Sequence, residues 1–359
     1  MRSPVALAVE DDGTAPPPSL LPPILHHPLI QAVLCAAGYL VHVVFLSRRH
    51  LTLGGYDVML DTLTGLGVLG AVASFRQRSG ARPIPAWLVG EVDPADGSDA
   101  GRECLDLRQA PKPEKLRIAA TALVTLLVPF FFSKVSWFYD LLLYGLAALG
   151  LPFTKASLLG SRLLLEQTTV YALLFKFMSS RHGAAAGGAV GGGAPFFGKG
   201  SRWVRWDVRR PWLLPVLGGY AASLGIFNLV ELLNQYLLPF LDYLPEGLVA
   251  KLANPSDGSL LSLFIASTTP SVGAPIFEEV HSRAFLLQAF TCVLPLRLAI
   301  AASGLLFGAQ HLQLGLVLPL TAMGCFWGVM YAFSGNLLVP VLIHALWNSR
   351  VFIGSALAL

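Results

Sequence analysis

Apolar residues run in blocks of membrane-spanning length along most of this chain, and polar residues collect between the blocks. A bilayer core about 30 Å thick asks for ~20 consecutive apolar residues per helix. On that criterion Pro28–Leu46, Asp57–Phe75, Leu116–Phe132, Ser136–Phe153 and Leu158–Met178 are candidate spans. Pro211–Leu241 follows, long enough to tilt or break. The last group is Leu260–Phe290, which Pro270 and Pro275 are expected to interrupt, then Val293–His311, Leu314–Phe333 and Asn336–Leu357. The apolar/polar alternation of a barrel strand is absent. Inside hydrocarbon every backbone group must be satisfied internally, which leaves the helix as the expected state. The pattern predicts an all-α, polytopic transmembrane bundle of about nine or ten helices with a buried polar cavity.

The polar segments set the organisation. Residues 1–27 form an N-terminal tail that carries Glu10, Asp11 and Asp12 ahead of a Pro-rich stretch. This fits neither an acid-poor transit peptide nor a secretory signal with a basic start. A transmembrane region covers 28–241, with surface loops at 76–115 and 179–210, and a third segment covers 258–357. The Gly/Ala-rich run Gly183–Gly200 leads into Arg202, Arg205, Arg209 and Arg210. Five spans before that loop would put it on the same side as Arg48–Arg49, the side that the excess of arginine marks as cytosol-like. The segment Asp242–Asp257, richer in acids, would face the other way.

Composition sharpens this picture. Hydrophobic residues make up 54% of the chain and charged ones 13%, against about 25% charged in a soluble domain. The net charge of +4 is small, and no Lys/Arg block with interleaved aromatics points to nucleic acid. Cys35, Cys104, Cys292 and Cys325 lack metal-site spacing and read as packing residues.

Ionisable side chains at membrane depth are costly and usually face an interior cavity. Glu278, Glu279, His281 and Arg283 share one helix-length segment, His311 ends the next span, and His344 and Asn348 sit midway along the last. Glu279 and Arg283 are four apart and share a face with the acid first, the favoured order for a pair. Glu278, rotated by about 100°, is left free of the arginine. Pro275 suits a first helical turn, which would set both carboxylates near a helix N-terminus, where negative charge is favoured. Phe307 with His311, and His344 with Asn348, also project together. A carboxylate without an ion-pair partner, near imidazoles in a sheltered site, can deprotonate water. A second imidazole and a carboxamide can supply donors to an oxyanion. His281 makes an E-x-x-H with Glu278, but no second copy completes a di-iron set. Glu166 and Glu231 read as polar contacts within the bundle. No G-x-S-x-G or H-E-x-x-H occurs.

Three motifs in this order then resemble a known family. Glu278-Glu279-Val-His-Ser-Arg283 fits E-E-x-x-x-R, Phe307-Gly-Ala-Gln-His311 fits F-x-x-x-H, and His344-Ala-Leu-Trp-Asn348 fits H-x-x-x-N. Together they look like the CAAX-processing and bacteriocin-processing (CPBP, or Abi) intramembrane protease family, over roughly Leu260–Arg350. Ser282 departs from the aromatic residue that often precedes the arginine.

The resemblance implies an intramembrane endopeptidase acting on a hydrophobic or lipidated, CAAX-type substrate. Glu278 would activate water with the help of His311. His344 and Asn348 would stabilise the oxyanion, while Glu279, Arg283 and Phe307 would order the site. The motifs do not settle whether a metal takes part: a metal-free glutamate with no cofactor is the expected reading, while Glu278, His311 and His344 could in principle hold zinc. Two other readings stand beside the enzyme. A non-catalytic regulator on the same fold would bind and stabilise membrane partners. A transporter would show inverted repeats with matching broken helices, and no repeat is evident. The expected location is a multi-pass membrane position in an organelle that the sequence leaves open, with plastid and endoplasmic reticulum both candidates.

Overall fold

The computed structural model describes residues 23–47, 49–53, 56–79, 84–85, 88, 105–182, 196–197, 201, 203–238, 240, 248–255 and 258–357. The acidic tail, Arg48, Cys104, the Gly-rich run over 183–195, Arg202 and Asp242 lie outside the described residues. Eleven helices are described, where the hydropathy blocks predict about nine or ten. They are α1 (Pro28–Leu46), α2 (Leu60–Arg78), α3 (Lys112–Lys134), α4 (Trp137–Ala148) and α5 (Lys155–His182). They continue with α6 (Leu213–Leu237), α7 (Leu248–Ala253), α8 (Leu260–Phe290), α9 (Leu296–Gln310), α10 (Val317–Ser334) and α11 (Leu338–Ala356). The additional one is α7, only six residues long. The all-α architecture holds; beside the helices stands one small hairpin, β1 (His50–Leu53) against β2 (Tyr56–Met59).

Among the described residues, six helices are long and apolar enough to cross a membrane. Leu116, Phe131, Leu232 and Phe264 stand exposed on helix surfaces, a burden that lipid rather than water tolerates. The chain is an integral membrane protein. Half of the apolar window of α6 is buried against 17% for that of α3, so α6 is central and α3 peripheral. Around α6 the core gathers Trp212, Val216, Tyr220 and Leu224 with Trp327 and Ile343. Cys35, Cys292 and Cys325 are free thiols.

Helix directions correct the expected topology. Gln31 accepts the backbone N–H groups of Trp212 and Leu213 and donates to the Arg210 carbonyl, so α1 and α6 begin at the same face. Further along both helices, Tyr220 Oη meets His42 Nδ1 at 3.0 Å, so the two run parallel. Arg49, past the end of α1, is therefore at the face opposite Arg209 and Arg210. The cause is α4. Its 12 residues give a rod of about 18 Å, too short for the ~30 Å core. α3 and α5 are antiparallel across it: Thr121 near the start of α3 bonds His182 at the end of α5, and Thr154, just before α5, lies 3.2 Å from Ser262 near the start of α8. Four full-length helices, α1, α2, α3 and α5, thus run from face to face before the basic segment.

The face where α1 and α6 begin also carries Arg76, Arg78, Arg108, Lys112, Lys115 and Arg181. By the positive-inside rule this face is the one expected on the cytosol-like side. Single-cysteine variants at 49 and 209 should react with a membrane-impermeant maleimide from opposite compartments. Labelling of both from one side would restore the fifth crossing.

α8 is continuous, although it holds Pro270 and Pro275. Two π-helical turns, Thr269–Gly273 and Val280–Leu287, flank its short regular stretch Ala274–Glu279. In the first π turn the Ala274 N–H reaches back five residues to the Thr269 carbonyl. The next N–H in that register would serve the Pro270 carbonyl, but residue 275 is proline and has none. Asn348 Nδ2 supplies the missing donor to Pro270 O at 2.7 Å. The carboxylates at 278 and 279 consequently lie mid-helix, and the helix-terminus argument for them does not apply.

Candidate functional site

α8 presents Glu279 and Arg283 to the interior, one turn apart and both fully buried. Their ion pair measures 3.0 Å from Nε to Oε2. The guanidinium lies over the Phe307 ring at 4.6 Å and near that of Trp327 at 5.6 Å, and Nη2 donates to the Gly324 carbonyl. A buried cation of this kind is tolerable because it is paired, hydrogen-bonded and stacked on aromatic faces. The other oxygen of Glu279, Oε1, accepts from His344 Nδ1 at 2.9 Å. This bond fixes the neutral ring of His344 with hydrogen on Nδ1 and a free lone pair on Nε2.

His311 reaches the cluster from the C-terminal end of α9. The α9–α10 crossing depends on close approach at Gly304 and Gly308. A Cβ at Gly304 would lie 2.7 Å from the Cys325 amide nitrogen, and one at Gly308 would lie 2.6 Å from the Val317 carbonyl. Between these glycines Phe307 turns its ring edge-on to His311 at 4.9 Å. His311 Nδ1 donates to the Phe307 carbonyl at 2.7 Å, again leaving Nε2 without hydrogen in the neutral ring. Leu312, immediately after it, takes the left-handed conformation at φ 53°. That backbone is unusual for a branched residue and turns the chain sharply out of α9.

Glu278 stands apart from the arginine, as its rotation around the helix predicts. Its Oε2 is 4.0 Å from Nε2 of His311 and 4.0 Å from Nε2 of His344. Among the described residues that oxygen accepts no hydrogen bond. Glu278 and His311 are partly exposed while Glu279, Arg283 and His344 are buried, so the cluster is open on the Glu278–His311 side. The structure thus brings together Glu278, Glu279, His311 and His344, with Arg283 and Phe307 packed beside them. Asn348 is half-buried, one turn beyond His344, and its amide donates to Pro270 O rather than to any member of the cluster.

Other polar residues of the spans lie elsewhere. His281 bonds Thr125 Oγ1 at 2.9 Å and stacks on Phe277, which makes it a link between α8 and α3. Glu166 is 4.0 Å from Arg162, which also meets Asp140 and Ser136 beside a cavity of about 350 Å³ between α4 and α5. Trp327, against His344, carries no signal in the sequence, because it is one apolar residue in an apolar run.

The donor set can be tested for zinc. Two ligands 2.0–2.1 Å from a tetrahedral zinc are about 3.4 Å apart. The carboxylate-to-imidazole separations of 4.0 Å are wider, and among the described residues no group of three His, Cys, Asp or Glu is close enough to hold a metal ion. These side chains do not fit zinc as they stand.

A membrane-embedded helical protein with a carboxylate–imidazole cluster is the class that fold and site define. Within it, residues 260–350 match the family model of the Type II CAAX prenyl endopeptidase Rce1-like proteins, about a quarter of the chain. The resemblance drawn from the three motifs holds over this segment, which carries all of them. No curated protein matches the chain, and no solved structure does.

Proposed function

We propose that this protein is an intramembrane endopeptidase that cleaves a hydrophobic or lipidated, CAAX-type peptide with a water activated by Glu278. The observation that carries this reading is the position of Glu278 Oε2, 4.0 Å from two imidazole Nε2 atoms whose Nδ1 atoms are both engaged. A water within hydrogen-bond reach of Glu278 Oε2 and His311 Nε2, about 2.6–3.2 Å, satisfies the geometry demanded of a general base. It would donate one hydrogen to Glu278 and the other to His311 Nε2, which turns an oxygen lone pair toward the scissile carbonyl. Attack forms the C–O bond as Glu278 takes the proton, and the carbonyl oxygen gains the charge. The second N–H of the Asn348 amide donates to that oxyanion, and so does His344 Nε2 when the ring enters the step as an imidazolium, its second proton taken from solvent through the open side of the site and its Nδ1–H held by Glu279. Glu278 then returns its proton to the leaving amine as the C–N bond breaks.

The motif-bearing segment and its family match support the peptide-bond substrate class. The wide donor spacing supports a metal-free glutamate. The direct test is turnover of a farnesylated peptide by the purified full-length protein in nanodiscs, with and without a chelator. Release of a C-terminal fragment that persists in chelator is expected. Loss of turnover on chelation, regained with zinc, would overturn the metal-free mechanism. Absence of cleavage by intact protein that still binds a membrane partner would favour the regulator.

A further inference from the structure

His344 is held by more than its motif neighbours. One ring face meets the Trp327 indole, with centroids 4.4 Å apart and planes inclined by 33°. Trp327 is almost fully buried and sits at the centre of the aromatic group, edge-on to Phe307 at 5.7 Å. Its own orientation is fixed from α6. Trp327 Nε1 donates to Ser223 Oγ at 3.1 Å, and Ser223 Oγ in turn donates to the Gly219 carbonyl at 2.8 Å. With its single hydrogen spent on Gly219, the hydroxyl can only accept from the indole. Gly219 also leaves room for a side chain of α11. A Cβ there would lie 2.4 Å from Cδ1 of Ile343, the residue before His344. The sequence of contacts therefore runs from the backbone of α6 through Ser223 and Trp327 to the face of the His344 imidazole.

We infer that Ser223 and Trp327 are positioning residues for His344, so that α6, outside the matched segment 260–350, fixes one of the two imidazoles around Glu278. The inference rests on the hydrolase reading. Its physical basis is rotational. The Glu279 bond restrains His344 at one atom, about which the ring can still rock, whereas a stacked indole restrains the plane. Rocking moves Nε2, the atom that must face the substrate oxygen. A misplacement of about 1 Å in such a group can cost ~100-fold in rate.

Ser223→Ala removes the acceptor with little change in volume, and Ser223→Thr retains it. In full-length protein in nanodiscs, Ser223→Ala should lower kcat by about tenfold or more, with KM within about twofold, because transition-state alignment is lost rather than substrate binding. Ser223→Thr should recover most of the loss. Indole-¹⁵N labelling gives a readout independent of turnover. The N–H resonance missing from Trp327→Phe belongs to Trp327. It should shift in His344→Gln, which removes the ring current of the stacked imidazole. It should also shift in Ser223→Ala and return in Ser223→Thr. A Trp327 resonance unmoved by His344→Gln would overturn the contact. A shifted resonance in Ser223→Ala with unchanged kcat would overturn the positioning role. If wild-type protein turns over nothing, the hydrolase reading fails and the positioning role falls with it, while the resonance shifts still decide whether the stacked pair exists.

Discussion

Glu278→Gln should lower peptide-bond cleavage by at least about 100-fold, the low end of what general-base catalysis contributes, while protein abundance and partner binding stay at wild-type levels. Gln retains the volume and the hydrogen-bonding capacity of the carboxylate but cannot take a proton from water near neutral pH. The site predicts little structural response, because Glu278 makes no ion pair with Arg283 and its contacts to both imidazoles are at 4.0 Å. Cleavage by purified variant in nanodiscs and complementation in cells lacking the protein both measure the effect. Full complementation by the double variant Glu278→Gln, His311→Ala would sink the protease assignment and promote the non-catalytic regulator.

The neighbouring acid should respond in the opposite manner. Glu279→Gln leaves the fully buried Arg283 without its charge partner and removes the acceptor of His344 Nδ1 as a carboxylate. Breaking a buried pair by removing one member costs about 3–5 kcal/mol, a large share of the 5–15 kcal/mol, roughly, that holds a typical fold. Folded protein recovered after detergent extraction should fall sharply, and the surviving fraction should unfold at lower temperature. Abundance and melting temperature equal to wild type, measured side by side with Glu278→Gln, would show that the Glu279–Arg283 pair does not hold the bundle together.

Much of this contrast is legible in the sequence. The four-residue spacing of Glu279 and Arg283 gives the pair, and helical rotation gives the isolation of Glu278. The helical blocks were likewise readable from apolar length. What could not be read depends on partners far along the chain or on where a helix stops. Ser136–Phe153 has the hydropathy of a span, but α4 ends at Ala148, ahead of Gly150 at φ 95° and Pro152. Apolar composition fixes affinity for lipid, not the length of the rod, and one missing crossing reversed the side assigned to Arg49. Pro270 and Pro275 predicted an interruption because local rules count lost hydrogen bonds. Continuity instead rests on the π turn and on Asn348, 78 residues away. Nothing in the sequence marks Trp327, because stacking on an imidazole has no characteristic spacing.

The Pro270–Asn348 bond also divides the labour of one side chain. A carboxamide nitrogen has two hydrogens, and the backbone of α8 takes one of them. The demand for that hydrogen originates at residue 275, whose pyrrolidine ring removed it from the main chain. Positions 275 and 348 are thus linked through the carbonyl at 270. A residue bearing an N–H at 275 could close the carbonyl at 270 from within the helix and free Asn348 from its supporting task. Whatever need for asparagine then persisted at 348 would be chemical rather than architectural.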